Sequence, residues 1–213
     1  MLNELIERTN TSEFYNDCDL TLISYNFNAL SKTCEIMIAI NHNSYDEPVV
    51  DEEWKITAYN TEKINGFSDK ILLPYTKLQL LEKHTLLHKY HDEELECEIQ
   101  GIPNNLNQLT FDLIKLEQQL GNWISIKDMV GSYSPNMFKI PKRITIPNSF
   151  EEKLSDVFKT QELSFKIRNY NKGYEYTPDA KMLIFGNEDV CPNRLNGGQS
   201  YIIADEFKAE RLK

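Results

Sequence analysis

Apolar residues recur at every second position in several short stretches of this chain, the pattern of strands with one buried face. In Asp19–Ser24, Leu20 and Leu22 alternate with Thr21 and Ile23, and in Thr33–Ile40 the residues Cys34, Ile36, Ile38 and Ile40 share a face. Tyr25–Ser31 between them has the length of a hairpin loop. After an acidic loop at His42–Glu53, Trp54, Ile56 and Ala58 alternate with Lys55, Thr57 and Tyr59. Ile71–Leu81 reads as a further extended stretch, and Pro74 confines it to an edge or a bulge. Leu95, Cys97 and Ile99 alternate with Glu94, Glu96 and Glu98 until Gly101 and Pro103 stop the strand. Short connections between neighbouring strands favour an antiparallel meander.

The period changes to a helical one at 104–120. Leu106, Leu109, Leu113, Leu116 and Leu120 recur at steps of three and four, which places all five on one face. Asn104, Asn105 and Asn107 offer N-caps, and Gly121 stops the helix. Two heptads are too short for a coiled coil, so the helix is expected to pack across a sheet. Residues 1–16 suit a short helix or an arm. Residues 131–148 hold three prolines and a glycine and read as a linker, with Ile140, Ile144 and Ile146 able to form an edge strand. Beyond it, Ser149 and Glu152 form a capping box ahead of a helix Phe150–Phe158. Leu163, Phe165 and Ile167 alternate as a strand, Lys181–Phe185 and Tyr201–Ala204 read as buried strands, and Asp205–Lys213 as a helical turn. The expected class is α+β: an antiparallel sheet with a packed helix, then a second, smaller α+β part. The domains are 1–130, a linker at 131–148, and 149–213.

Charge sharpens that division. Residues 1–130 carry 10 Lys/Arg and 22 Asp/Glu, whereas residues 131–213 carry 13 and 11. An acidic first part favours a basic partner and repels nucleic acid. The N-terminal stretch MLNELIERTNTSEFY has neither a basic start nor an apolar run, so no secretory signal is expected. No stretch has the roughly 18 apolar residues of a membrane helix. Cys18, Cys34, Cys97 and Cys191 are scattered without a C-x-x-C pair and read as free thiols of a reducing cytoplasm.

The run from Trp54 to Met129 comprises WKITAYN, KHTLLHKY, a charged strand ending IQGIPNN, the leucine helix and GNWISIKDM. It resembles a group of small, uncharacterised bacterial α+β proteins. In that group the positions of Lys83–Tyr90 correspond to a D-H-P-L-L-W turn and those of Gly121–Ile124 to G-D-W-I. Here Thr85 stands for the proline and His88 for the tryptophan. The group implies no activity; its association with immunity proteins is by analogy.

Three constellations carry candidate chemistry. Glu94, Glu96 and Glu98 project from one strand face about 7 Å apart, and Asp92, Asp46, Glu47, Asp51, Glu52 and Glu53 enlarge that acidity if the two segments meet. Lys55 or Lys32 is expected to offset the column. A basic protein such as a toxin would dock there, with Tyr45 or Tyr90 as anchor. His84, His88 and His91 supply the second: at helical spacing His84 and His88 share a face as zinc ligands do, with His91 third, although H-E-x-x-H lacks its glutamate. The third is the polar loop Gly186–Tyr201 between two apolar strands. The favoured function is a non-enzymatic binding protein, an immunity- or antitoxin-like inhibitor that needs no cofactor. The alternatives are a small metal-dependent hydrolase using the histidines and a structural subunit of a larger assembly.

Overall fold

The computed structural model describes residues 1–42, 49–67, 77–121, 123–131, 134, 136–172, 176–186 and 200–213, with the backbone alone at 49–51. Within these residues the helices are α1 (Leu2–Thr9), α2 (Ser12–Asp17), α3 (His88–His91), α4 (Leu106–Gln119), α5 (Ile126–Val130) and α6 (Glu151–Thr160). The strands are β1 (Cys18–Asn28), β2 (Thr33–His42), β3 (Val49–Asn65), β4 (Leu78–Leu81), β5 (Glu94–Gln100), β6 (Lys142–Pro147), β7 (Ser164–Asn171), β8 (Lys181–Phe185) and β9 (Ser200–Arg211). The protein is α+β, with antiparallel sheets and packed helices, as the alternating and helical periods require. None of the described helices is long and apolar enough to cross a membrane.

The chain divides into two compact units, Met1–His84 with Asp179–Lys213 (unit 1) and Thr85–Pro178 (unit 2). This differs from the division expected at 131–148. That segment lies inside unit 2, where Ile144 and Ile146 are buried and Lys142–Pro147 pairs with Glu94–Ile99. Pro141 and Pro147 mark the ends of that strand rather than a boundary.

Unit 1 is a six-stranded sheet in the order β1-β2-β3-β9-β8-β4. Leu5 of α1 and Phe14 of α2 pack with Ile36, Ile38, Ile40, Trp54, Ile56, Leu183 and Ile202 in one apolar cluster. Burying each such side chain stabilises by about 1.5–3 kcal/mol. The Thr11 side chain caps α2 by accepting from the Phe14 N–H at 3.1 Å. The β1–β2 hairpin runs to Asn28, further than the sequence suggests, with a bulge between Leu22 and Ser24. β3 starts at Val49, so Glu52 and Glu53 belong to a strand and not to a loop. The terminal residues are not a helical turn either: β9 continues to Arg211, pairing Phe207 with Ala58 and Ala209 with Ile56 on β3.

Unit 2 is the three-stranded sheet β6-β5-β7 with α4 and α6 over one face. Asn105 caps α4 by accepting from the Gln108 N–H at 3.1 Å. Leu109, Leu113, Leu116 and Leu120 are buried against Leu95, Cys97 and Ile99 of β5. Gly121 ends the helix at φ +68°, where an added Cβ would meet the Trp123 ring at 2.9 Å. The capping box at Ser149 does not form. A 3₁₀ turn over Asn148–Phe150 delays α6 to Glu151, and the Ser149 N–H donates to the Asp92 carboxylate instead.

Candidate functional site

The glutamate comb lies on the central strand of unit 2, flanked by β6 and β7. That position decides its chemistry. Register sets Glu98 opposite Arg143 on β6 and Lys166 on β7. Arg168 Nη2 reaches Glu98 Oε1 at 2.6 Å, and Arg143 Nη1 reaches Glu96 Oε1 at 3.2 Å. The hydrogen bond from Arg168 holds the Glu98 carboxyl below the usual glutamate range, outweighing desolvation, with Arg143 and Lys166 adding to the effect. The arginines offset the column, in place of the lysines anticipated: Lys55 pairs with Glu35 and Lys32 with Glu62, all in unit 1. The comb is a zipped face of mixed sign.

The segments 46–53 and 92–98 belong to different units. Tyr45, Asp46 and Glu47 lie outside the described residues, as does the Asp51 side chain. Glu53 is half-buried, with its backbone bonded to Leu212 and Lys213. Tyr90 is only 4% exposed, so its ring is interior. Asp92 accepts from the Ser149 N–H and faces His88 Nδ1 at 3.2 Å.

His84 ends unit 1, whereas His88 and His91 lie in unit 2 on a single helical turn. The His88 ring stands edge-on to Phe150 at 5.3 Å. Among the described residues no three His, Cys, Asp or Glu side chains are disposed to hold a metal ion. The polar loop at 187–199, with Cys191, lies outside the described residues.

One polar cluster went unread in the sequence. Glu52 is buried and accepts from Arg8 Nε at 3.2 Å and from Trp54 Nε1 at 2.8 Å, with Arg211 Nε at 3.8 Å. Burial opposes the charge on Arg8, but the hydrogen bond to Glu52 and the nearby Cys18 and Glu13 outweigh it and raise its pKa. Arg8 Nη2 lies 3.8 Å from Cys18 Sγ, which is itself 3.8 Å from His42 Nδ1. Hairpin register produces the thiol–imidazole pair, since Cys18 stands directly opposite His42. A thiol beside an imidazole and a guanidinium has the composition of a reactive cysteine, yet Cys18 is 2% exposed, which closes it to a substrate and gives the cluster a structural role. Burial pushes the thiols of Cys34 and Cys97 up to about 11.

Counted by unit, the acidity is less lopsided than along the chain, yet it still falls mainly in unit 1. Unit 1 carries 12 Lys/Arg and 20 Asp/Glu, and unit 2 carries 11 and 13. The segment leading into β1 contributes Glu4, Glu7, Glu13, Asp17 and Asp19 against Arg8 alone, and Arg8 is engaged with Glu52 and Glu13. Glu4, Glu7, Glu13 and Asp17 are exposed. Protein-family models, curated proteins and solved structures show no match to this chain. The stretch Trp54–Met129 spans parts of both units.

Proposed function

We propose that this protein is a non-enzymatic binding protein whose unit 1 docks a basic surface of a partner protein. The supporting observation is the excess of carboxylates in unit 1, with the exposed Glu4, Glu7, Glu13 and Asp17 opposed by one committed arginine. Such a surface accelerates encounter with a basic partner and rejects acidic ones, while apolar contacts inside it supply most of the affinity. Asp46, Glu47, Asp51 and Glu53 belong to the same unit and add to its charge. The comb on β5 contributes less, because Arg143 and Arg168 already pair with Glu96 and Glu98. An immunity- or antitoxin-like inhibitor is the functional class that fits this reading, by analogy with proteins of similar acidity and fold class.

The test is capture of binding proteins from a lysate of the source cells, washed at rising salt. A basic protein should be retained at low salt and released at high salt, because screening shortens the field to about 10 Å at 0.1 M. Reversing charge in Glu4→Lys/Glu7→Lys/Asp17→Lys should abolish retention, whereas Glu94→Lys/Glu96→Lys should leave it. The opposite pattern would overturn the assignment to unit 1.

A further inference from the structure

From the sheet edges we infer that β1 is a docking edge, at which an extended Lys- or Arg-bearing segment of a partner protein adds as a seventh strand to the sheet of unit 1. The inference rests on the reading of unit 1 as the acidic docking unit. Open sheet edges invite pairing with any available strand, and proteins blunt them with covers, charges, prolines or short lengths. The other edges here are blunted. β4 has four residues, and on its outer side Thr9 Oγ1 accepts from the Leu78 N–H at 3.1 Å while Asn10 Nδ2 donates to the Leu78 carbonyl at 2.9 Å. β6 carries Lys142 and Arg143 and ends at Pro147, and β7 carries Lys166 and Arg168.

Among the described residues β1 has no cover; its one charge is Asp19 at the start, and its one irregularity is the bulge between Leu22 and Ser24. It is eleven residues long, without proline, lysine or arginine, and the chain is uncharged from Leu20 to Ser31. Ile23, Tyr25 and Phe27 are 45%, 46% and 41% exposed. The Cys18 N–H turns away from β2 to the Phe14 carbonyl. Strand alternation then directs the backbone groups of Leu20, Leu22 and, past the bulge, Tyr25 and Phe27 to the open side. Among the described residues the backbone of Asp19–Phe27 bonds to β2 alone. Tyr25 and Phe27 stand opposite Ile36 and Cys34 and so share a face; the Tyr25 ring rests on Phe67 at 5.9 Å, and its exposed side and Phe27 can receive apolar side chains from an added strand.

Charge selects the occupant. Exposed Glu13 and Asp17 and half-buried Asp19 lie where the edge begins. A second copy would bring the same acidic unit against this one, whereas a strand with lysines or arginines beside Asp17 and Asp19 is attracted.

The test uses the full chain and three synthetic ten-residue probes: alternating Lys-Val, alternating Glu-Val, and Lys-Val interrupted by proline. Amide hydrogen exchange is followed by NMR. The Lys-Val probe should slow exchange of the Leu20, Leu22, Tyr25 and Phe27 N–H groups by about tenfold or more, and neither other probe should. Ile23→Lys/Phe27→Lys should lose that protection; should this pair disturb the hairpin, Asn26→Lys on the opposite face provides the same repulsion. Lys-Val binding that leaves β1 amides unprotected, or no binding at low salt, would overturn strand addition without touching the acidic docking reading. Equal protection by Glu-Val, unchanged by salt, would keep the edge, remove the basic occupant and count against the acidic reading itself. A dimer in sedimentation, with β1 protected in the absence of probe and dissociated by Ile23→Lys/Phe27→Lys, would assign the edge to a second copy and overturn the inference.

Discussion

Arg8→Ala should destabilise unit 1 selectively, by an amount that the Glu52 geometry sets. The Glu52 side chain is 11% exposed and that of Arg8 24%. Removing the guanidinium leaves the carboxylate with the Trp54 N–H at 2.8 Å and Arg211 at 3.8 Å. Breaking a fully buried pair costs about 3–5 kcal/mol and an exposed pair about 0–1. This pair lies between, so the expected loss is about 2 kcal/mol, or about 6–10 °C in the melting of a unit of this size. The two tryptophans allow the units to be read separately, since Trp54 lies in unit 1 and Trp123 in unit 2. Urea unfolding followed by Trp54 emission in a Trp123→Phe background therefore isolates the effect. A double-mutant cycle with Glu52→Gln should give a coupling of about 1–2 kcal/mol. A loss under about 0.5 kcal/mol, or coupling near zero, would show that the pair is held by packing and does not support the sheet.

In unit 2, Leu113→Ala should cost about 2–5 kcal/mol, because the side chain is fully buried beneath α4, whereas Ile114→Ala, 46% exposed, should stay within about 0.5; thermal unfolding compares them. The folded pKa of Glu98 is lowered, so its contribution is complete above the unfolded value of about 4.3 and is lost as pH falls through the folded value. NMR titration of the Glu98 carboxyl should show that midpoint moving upward in Arg168→Ala, and no movement would remove the arginine as its cause. In a Cys191→Ser variant, no thiol of the native protein should react with a disulfide reagent at neutral pH, since Cys18, Cys34 and Cys97 are buried. A fast-reacting equivalent would show that the sheet opens.

Much of the fold is legible because its signals are local. The alternation at Thr33–Ile40 and Glu94–Ile99 yields β2 and β5, and the leucine spacing yields α4, with Leu109, Leu113, Leu116 and the C-cap Leu120 of the five-leucine stripe buried. What fails are inferences from composition. Three prolines at 131–148 resemble a linker, yet Ile144 and Ile146 there complete a sheet. The terminal DEFKAERLK reads as helical, and only the partner strand β3 forces it to extend: tertiary pairing overrides a weak local preference. The unit boundary was invisible for the same reason. β8 and β9 return to a sheet begun more than a hundred residues earlier, and their apolar runs do not identify the strand they will join.

The glutamates show why charge must be counted in the sheet and not along the chain. Read singly, Glu94, Glu96 and Glu98 form a column of like charge that ought to repel. Glu96 and Glu98 are answered by cations 47 and 70 residues away, on strands whose order is set by burial of Leu95, Cys97 and Ile99 on the other face. Apolar register thus fixes the polar pairs as a by-product, and the alternation that buries one face also neutralises the other. The same logic works in reverse on β1. One edge of β1 is tied to β2, but among the described residues no backbone group bonds the other edge, and the absence of charge from Leu20 onward leaves it open to pairing. A surface that looks inert in a charge count is, in the sheet, the place where another strand fits, while on the most acidic-looking strand Glu96 and Glu98 are already paired.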